Sequence, residues 1–529
     1  MNVNVTGENL IAGSPSAEGG IHFRAIDPRT HLEVEPGFTE ATSAEVDRAV
    51  RLAAAAFPAY ARTPAATRAA FLRAIADALI ALGPELIERA HLETALPVAR
   101  LEGERGRTVG QLRLFATLIE EGSWVDARID RGDPARAPLP RPDLRRMLVP
   151  LGPVAVFGAS NFPFAFSVPG GDTASALASG CTVVCKGHPA HPGTSELAAR
   201  AIDHAAASCG LEPGVFSLLH GWSHEVGLAM VRHPAITAVG FTGSLRGGRA
   251  LFDAAAARPT PIPVYAEMGS VNPVFLLPSA VKERGGAIAQ GLALSITTGT
   301  GQFCTNPGII VGVRGESLDA LEASLAERIT ATEASVMLYP QLSAAYGSAV
   351  ASAEKLGATV TARARTDDAH RATPALLHLD AARFVSEDGL REEMFGPVSI
   401  VVAAGGVDEL ERVAESLEGQ LTATIHGTPA ELRAHHRLVE ILQRKVGRLL
   451  FNGYPTGVEV GHAMQHGGPY PASTDSRTTS VGSAAIARFV RPLCYQDFPD
   501  EALPEELRNA NARGIWRLVD GALTRDNVS

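Results

Sequence analysis

Three short segments carry residue types whose chemistry would be complementary. GTGQFCTNPGIIVGV, Gly299 to Val313, sets Cys304 in a glycine-bounded loop just before an apolar, strand-like run. Such a loop can present a thiol to a cleft, and the attacking form is the thiolate, favoured by nearby backbone amides or positive dipoles. A lone cysteine is as readily a small buried hydrophobe, so the local sequence leaves both readings open. In VYAEMGSVNP a strand ends on Glu267 ahead of a glycine turn. Ligand chemistry in α/β proteins gathers at the carboxyl ends of strands, and a carboxylate whose pKa was raised by partial burial could activate water there. Standing alone, such a glutamate is more often a solvated turn residue. FGASNFPFAFS, Phe157 to Ser167, holds Asn161 in an aromatic and proline setting, where its amide could donate to a developing oxyanion or simply form a turn.

A fourth segment, FTGSLRGGRAL, Phe241 to Leu251, reads as strand, glycine turn and helix start. Backbone N–H groups from Ser244 onward could receive a pyrophosphate, although the GxGxxG spacing is absent. The histidine-bearing stretches HGWSHEVG, HPAHPG and AHH have no zinc-type spacing, so no metal is expected. No G-x-S-x-G elbow is present, which disfavours a serine hydrolase.

These segments need a scaffold, and 529 residues is too many for one ordinary core. Ser43 to Ile119 has helical periodicity, with Ser43 and Thr67 as candidate N-caps. Asp126 to Arg146 is rich in proline and charge without an apolar face and should leave the core as an arm. LVPLGPVAVFG, CTVVCKG, GVFSLLHG and AITAVGFTG are short β-rich runs separated by helical patterns, and NPVFLLP, GIIVGVRG, VSIVVAAG and GRLLFNG repeat the theme. That alternation predicts an α/β protein with two doubly wound parallel sheets. Residues 501–529 form an extension in which EELRNANARGIWRLV is expected to be a surface helix.

With a formal charge of −10 the chain offers no broad basic surface to nucleic acid or anionic lipid, so neither is an expected partner. Met1 to Gly13 has no basic start followed by an apolar core, and five cysteines make a sparse, odd set. Both features point to a reducing compartment, the cytoplasm.

Taken in order, SNFPFAFS, VVCKG, FTGS, EMGSVNP, GQFCTNPG and EEMFGPV resemble the successive signatures of the aldehyde dehydrogenase superfamily. The resemblance implies a nucleotide-binding domain over 1–125 and 147–266 and a catalytic domain over 267–484. It also implies a small β oligomerisation arm from 126–146 and 485–500, and hence a homodimer or homotetramer. It implies that Cys304 attacks the aldehyde and that Asn161 with the Cys304 amide steadies the oxyanion. Hydride then passes to a nicotinamide, and Glu267 activates the water that hydrolyses the thioester. For the cofactor it assigns Lys186 to the adenosine ribose, Gly243, Ser244 and Gly248 to the pyrophosphate, and Glu393 with Phe395 to the nicotinamide ribose and ring. Phe157 and Ala159 line the same groove. NAD-specific members usually carry a glutamate three residues after the lysine; Pro189 stands here, so NADP is expected to be tolerated beside NAD and even preferred. His224 is placed either to meet a 2′-phosphate or merely to cap a helix.

The tail, Asn452 to Gly482 with RFVRPLCYQ after it, is similar to the bacterial α-ketoglutaric semialdehyde (2,5-dioxovalerate) dehydrogenases of sugar-acid and hydroxyproline catabolism. HGGPYPAS, His466 to Ser473, replaces the FGG and K-x-S-G of many members. NADP-dependent medium- and long-chain fatty aldehyde dehydrogenases resemble it too. Glu267 disfavours a coenzyme A-acylating enzyme, and Cys304, Glu267 and Asn161 together disfavour an inactive binding protein. A semialdehyde of a dicarboxylic acid needs a cation at the tunnel's far end. The family helix that walls the tunnel aligns Arg107 there, with Gln111 one turn on; the competing reading makes Arg105, Arg107 and Arg113 ordinary solvated charges.

Overall fold

The computed structural model describes residues 4–528, so residues 1–3 and 529, the outermost ends of the first and last expected segments, lie outside it. Four helices, Ser43–Ala61, Ala65–Ala81, Gly83–Thr94 and Val98–Glu121, make the helical layer. The first begins one residue earlier than expected. Thr42 is the N-cap, accepting from the Glu45 N–H while the Glu45 carboxylate answers the Thr42 N–H, a reciprocal pair that outcompetes Ser43. The second begins at Ala65 with Pro64, not Thr67, at the N-cap, where no side chain caps the helix. Phe71, Leu72, Ile75 and Leu79 then pack against Leu112, Phe115 and Ile119 in one continuous core.

The first large sheet runs Val264–Glu267, Ala238–Thr242, Val154–Phe157, Val183–Lys186, Phe216–Leu219, Asn9–Ile11, Ser14–Ser16. Its five central strands are parallel, and the two N-terminal ones join antiparallel. Val154–Phe157 sits in the middle: the chain winds outward from it to one side, then returns to the other through Ala238–Thr242. The crevice beyond the carboxyl ends of these two strands is therefore a topological switch point, where such sheets bind ligands.

The second large sheet runs Thr359–Arg363, Ala375–Asp380, Val398–Ala404, Ile309–Val313, Val274–Leu276, Gln420–His426, Val446–Phe451, parallel except for the first strand. Val398–Ala404 and Gln420–His426 are buried at every residue, as strands covered on both faces must be. The α/β fold of two doubly wound sheets follows.

A third sheet orders Val490–Gln496, Leu144–Pro150, Arg128–Asp130, Arg517–Val519, Ala522–Thr524. It extends the expected arm in two ways. Its strand Leu144–Pro150 reaches past residue 146, and the extension contributes two strands to it. The surface helix expected over EELRNANARGIWRLV is not formed: only a single turn, Glu505–Leu507, precedes the strand Arg517–Val519. Asn511 competes with the helix by bonding locally, its amide donating to Ile515 O and its carbonyl accepting from Ile515 N–H. Leu503, Leu507 and Ile515 are spent on a small core with Val125, Ala127, Ile129 and Met147. Among the described residues no helix is long and apolar enough to cross a membrane.

Candidate active site

Glu267 ends the strand Val264–Glu267, one residue before the Met268–Gly269 turn, and is 1% exposed. Its Oε2 accepts a 2.5 Å hydrogen bond from Ser480 Oγ. His466 Nε2 stands 2.9 Å from its Oε1, an approach of charge without hydrogen-bond alignment, and Oε1 has no other partner. The same Nε2 lies 3.4 Å from Cys304 Sγ. A partly buried sulfur thus meets a fully buried imidazole and carboxylate at one point.

The loop carrying Cys304 is held by its backbone. After the helix Pro278–Thr297, Gly299, Thr300 and Gly301 all take left-handed φ values of 58°, 58° and 63°. A side chain at Gly301 would start 2.2 Å from Gly396 O, and Thr300 stores strain that the surroundings must sustain. On the far side Asn272, itself at φ 44°, donates its amide to Cys304 O at 2.8 Å and Asn306 O at 2.9 Å. Asn161 reaches the same loop, its Nδ2 donating to Gln302 O at 3.0 Å. Arg100, its guanidinium over the rings of Phe162 and Phe303, holds Asn161 O at 2.8 Å.

Electrostatics reverse one expectation. Burial does push the Glu267 carboxyl upward, but the neighbouring His466, the Ser480 hydrogen bond and the Arg488 charge outweigh it and hold the group at about 2. Burial, and next the Glu267 charge, push the Cys304 thiol well above its ordinary value. The resting pair is a neutral thiol beside an ionised carboxylate that can take its proton.

Around the switch point, Ser244 caps the helix Leu245–Ala256, its Oγ accepting from Gly247 N–H. A Cβ on Gly243 would meet the Phe241 ring at 2.7 Å, and one on Gly248 would meet Met268 Sδ at 2.6 Å, so the turn needs bare backbone. The Phe157 and Phe241 rings stand 6.3 Å apart, and Ala159 is buried with its carbonyl on His191 Nε2. Lys186 Nζ donates to Gly221 O at 2.7 Å; burial lowers its pKa to about 8 against the pull of Glu40. Glu393 and Phe395 line a cavity with Ser270, Phe303 and Asn306, and burial lifts the Glu393 carboxyl to about 7. Pro189 is half-buried beside His188, whose ring stacks on His191. His224 is exposed at the start of Glu225–Arg232 and makes no side-chain cap. A glycine turn leading into a helix N-terminus, a lysine and a buried carboxylate are groups that fit a dinucleotide.

The arginines of the helix Val98–Glu121 separate. Arg105 donates to Gly83 O and Arg113 pairs with Asp77 at the surface. Arg107 turns inward over the Phe166 ring, with only a 3.4 Å contact from Nε to Val458 O, and both terminal nitrogens are buried without a partner. Gln111, one turn on, is buried with Nε2 unpartnered. Arg107 is close enough to act electrostatically on Cys304 and Glu267.

His466, Ser480, Asn272 and Arg100 went unread in the sequence. Only His466 left a signal, as the departure HGGPYPAS from the family's FGG. It also bears on the expectation of no metal. Cys304, His466 and Glu267 place one donor atom each within 4.8 Å of one another, an assembly that residue spacing could not reveal.

Residues 16–489 match the model of the aldehyde dehydrogenase family. The chain is 53% identical over 526 residues to alpha-ketoglutaric semialdehyde dehydrogenase 2 of Azospirillum brasilense, covering 98% of this chain and 99% of the relative. It is 45% identical to alpha-ketoglutaric semialdehyde dehydrogenase of Acinetobacter baylyi, covering 99% and 98%. In fold it is similar to aldehyde dehydrogenase C of Pseudomonas syringae, solved in complex with NAD+ and octanal, with a TM-score of 0.80 at 23% identity over 94% of this chain and 97% of that one. The chain belongs to the aldehyde dehydrogenase family.

Proposed function

We propose that this enzyme oxidises α-ketoglutaric semialdehyde to 2-oxoglutarate with NADP or NAD. The observation that carries the reading is the buried meeting of Cys304, His466 and Glu267, with the unpaired guanidinium of Arg107 turned toward the same interior. Sγ adds to the aldehyde carbon as the thiol proton passes to the Glu267–His466 pair. The oxyanion accepts from the Cys304 backbone N–H and from Asn161 Nδ2, which exchanges Gln302 O for it. Lys186, Gly243, Ser244, Gly248, Glu393 and Phe395 hold the nicotinamide cofactor, with Phe157 and Ala159 lining its groove, and when bound it supplies the two-electron oxidation to the thioester. Glu267 then takes a proton from the attacking water, and the carboxylate product leaves with Cys304 restored as thiol.

Two relatives named for this substrate support the assignment, and so does Arg107. A substrate carboxylate taken out of water needs a partner, and two free guanidinium nitrogens offer a fork, with Gln111 beside it. The absence of a carboxylate at Pro189 supports acceptance of NADP, with exposed His224 available to a 2′-phosphate. The outer strand Val490–Gln496, largely exposed along an unpaired edge, supports association into a homodimer or homotetramer. Its free cysteines suit a reducing cytoplasm. NAD(P)H formation, followed by absorbance with a panel of semialdehydes, neutral aldehydes and both cofactors, tests the whole. No signal with any pair sinks the dehydrogenase reading, and preference for long-chain aldehydes sinks the substrate.

A further inference from the structure

We propose that Cys304, His466 and Glu267 form a latent site for a soft divalent cation such as Zn2+, and that filling it switches the enzyme off reversibly. A thiolate, an imidazole and a carboxylate are the donor types zinc takes, at about 2.3 Å for sulfur and about 2.0–2.2 Å for nitrogen and oxygen. Bonds of that length at tetrahedral angles leave donor atoms roughly 3.3–3.6 Å apart. Here Sγ to Nε2 is 3.4 Å, Nε2 to Oε1 is 2.9 Å, and all three donors lie within 4.8 Å. Small side-chain shifts would seat an ion among them.

Two further observations point to a ligand. Oε1 of Glu267, on a residue 1% exposed, has no hydrogen-bond partner, and it faces Nε2 without forming one. The carboxylate oxygen is thus left unused beside an imidazole and a thiol that meet each other at 3.4 Å. The ligands are also anchored independently: Ser480 fixes the other Glu267 oxygen, Asn272 fixes the Cys304 backbone, and the Thr479 hydroxyl fixes the His466 backbone N–H at 2.8 Å. Among the described residues no other trio of His, Cys, Asp or Glu side chains converges in this way.

On binding, the S–H bond breaks, any proton on His466 Nε2 is given up too, S–metal, N–metal and O–metal bonds form and the released protons leave to solvent; nothing is oxidised or reduced. The sulfur lone pair and the carboxylate are then both engaged, so neither attack nor water activation is open. That loss of activity rests on the proposed catalytic roles, whereas the binding itself does not.

The test is a titration of the full-length, reduced protein with Co2+ in a non-chelating buffer, read by thiolate-to-metal charge-transfer absorption. One equivalent should saturate the band. It should vanish in Cys304→Ala, persist in Cys494→Ser, and require at least about tenfold more metal in His466→Gln. In the native protein, Zn2+ should slow alkylation of Cys304 by iodoacetamide at least about tenfold, with full recovery on adding EDTA. Absence of the band, an unchanged alkylation rate, or a His466→Gln protein that binds as tightly would overturn the inference. Metal uptake without NAD(P)H formation would instead sink the dehydrogenase reading alone, and turnover without uptake would sink only the metal site.

Discussion

Replacing Arg107 by methionine keeps most of the side-chain volume over Phe166 and removes the charge. If Arg107 receives the substrate's carboxylate, the variant leaves that carboxylate buried and unpaired. Breaking a buried pair in this way costs about 3–5 kcal/mol. At about 1.4 kcal/mol per factor of ten, kcat/KM for α-ketoglutaric semialdehyde should fall by roughly two to three and a half orders of magnitude. A neutral aldehyde of equal length has no carboxylate to strand and should lose little, or gain. The ratio of the two kcat/KM values is the quantity to measure, because Arg107 also lowers the Cys304 pKa and that effect cancels between substrates. Equal losses for both aldehydes would mean that Arg107 serves packing or the thiol. No loss for the semialdehyde would mean that its carboxylate lies elsewhere.

Glu267→Gln removes the carboxylate both from the pair that takes the thiol proton and from water activation, so turnover slowed roughly 10²–10⁴-fold without a fast NAD(P)H burst is expected in stopped flow. Asn161→Ala should lower kcat roughly 10²–10³-fold with little burst, since the oxyanion donor acts before the thioester forms. The Glu267 pKa of about 2 lies below the ordinary 4.5, so its ionised pairing stabilises the fold above pH 4.5, and the contribution is lost as pH falls toward 2. His466→Phe should therefore flatten the acid limb of stability against pH in denaturant unfolding, and an unaltered limb would place that stability elsewhere. Pro189→Glu should raise the KM for NADP roughly tenfold or more by like-charge repulsion while leaving that for NAD near its starting value; equal effects on both would show that the 2′ position is not read there.

The sequence made most of the fold legible, because the eight β-rich runs and the helical stretches between them repeat one supersecondary unit whose periodicities differ. The tail escaped for a physical reason. EELRNANARGIWRLV has apolar residues at helix-compatible spacing, yet Asn511 closes a local turn on Ile515, and Arg517 finds its partners in the carbonyls of Arg508, Asn509 and Asp526. Thr42 was passed over because the reciprocal bond with Glu45 is a property of the pair, not of the cap alone.

At the site, residue types were readable and their charge states were not. Cys304, Glu267 and Asn161 sit in motifs that name their chemistry, but what each can do depends on groups remote in the chain. Burial alone would have raised Glu267 into the range of a general base near neutrality, and that was the expectation. His466 and Ser480 invert the sign and hold the resting carboxylate ionised, so in the proposed mechanism one of those contacts must loosen before burial can raise its pKa enough to take a proton from water. Burial, and next the carboxylate held ionised beside Sγ, disfavour a resting thiolate, so in the proposed mechanism attack waits until the proton is handed to the pair. On the proposed roles, a histidine in place of the usual aromatic would change how the Cys304 thiol is activated, while leaving the three residues that the motif identifies untouched.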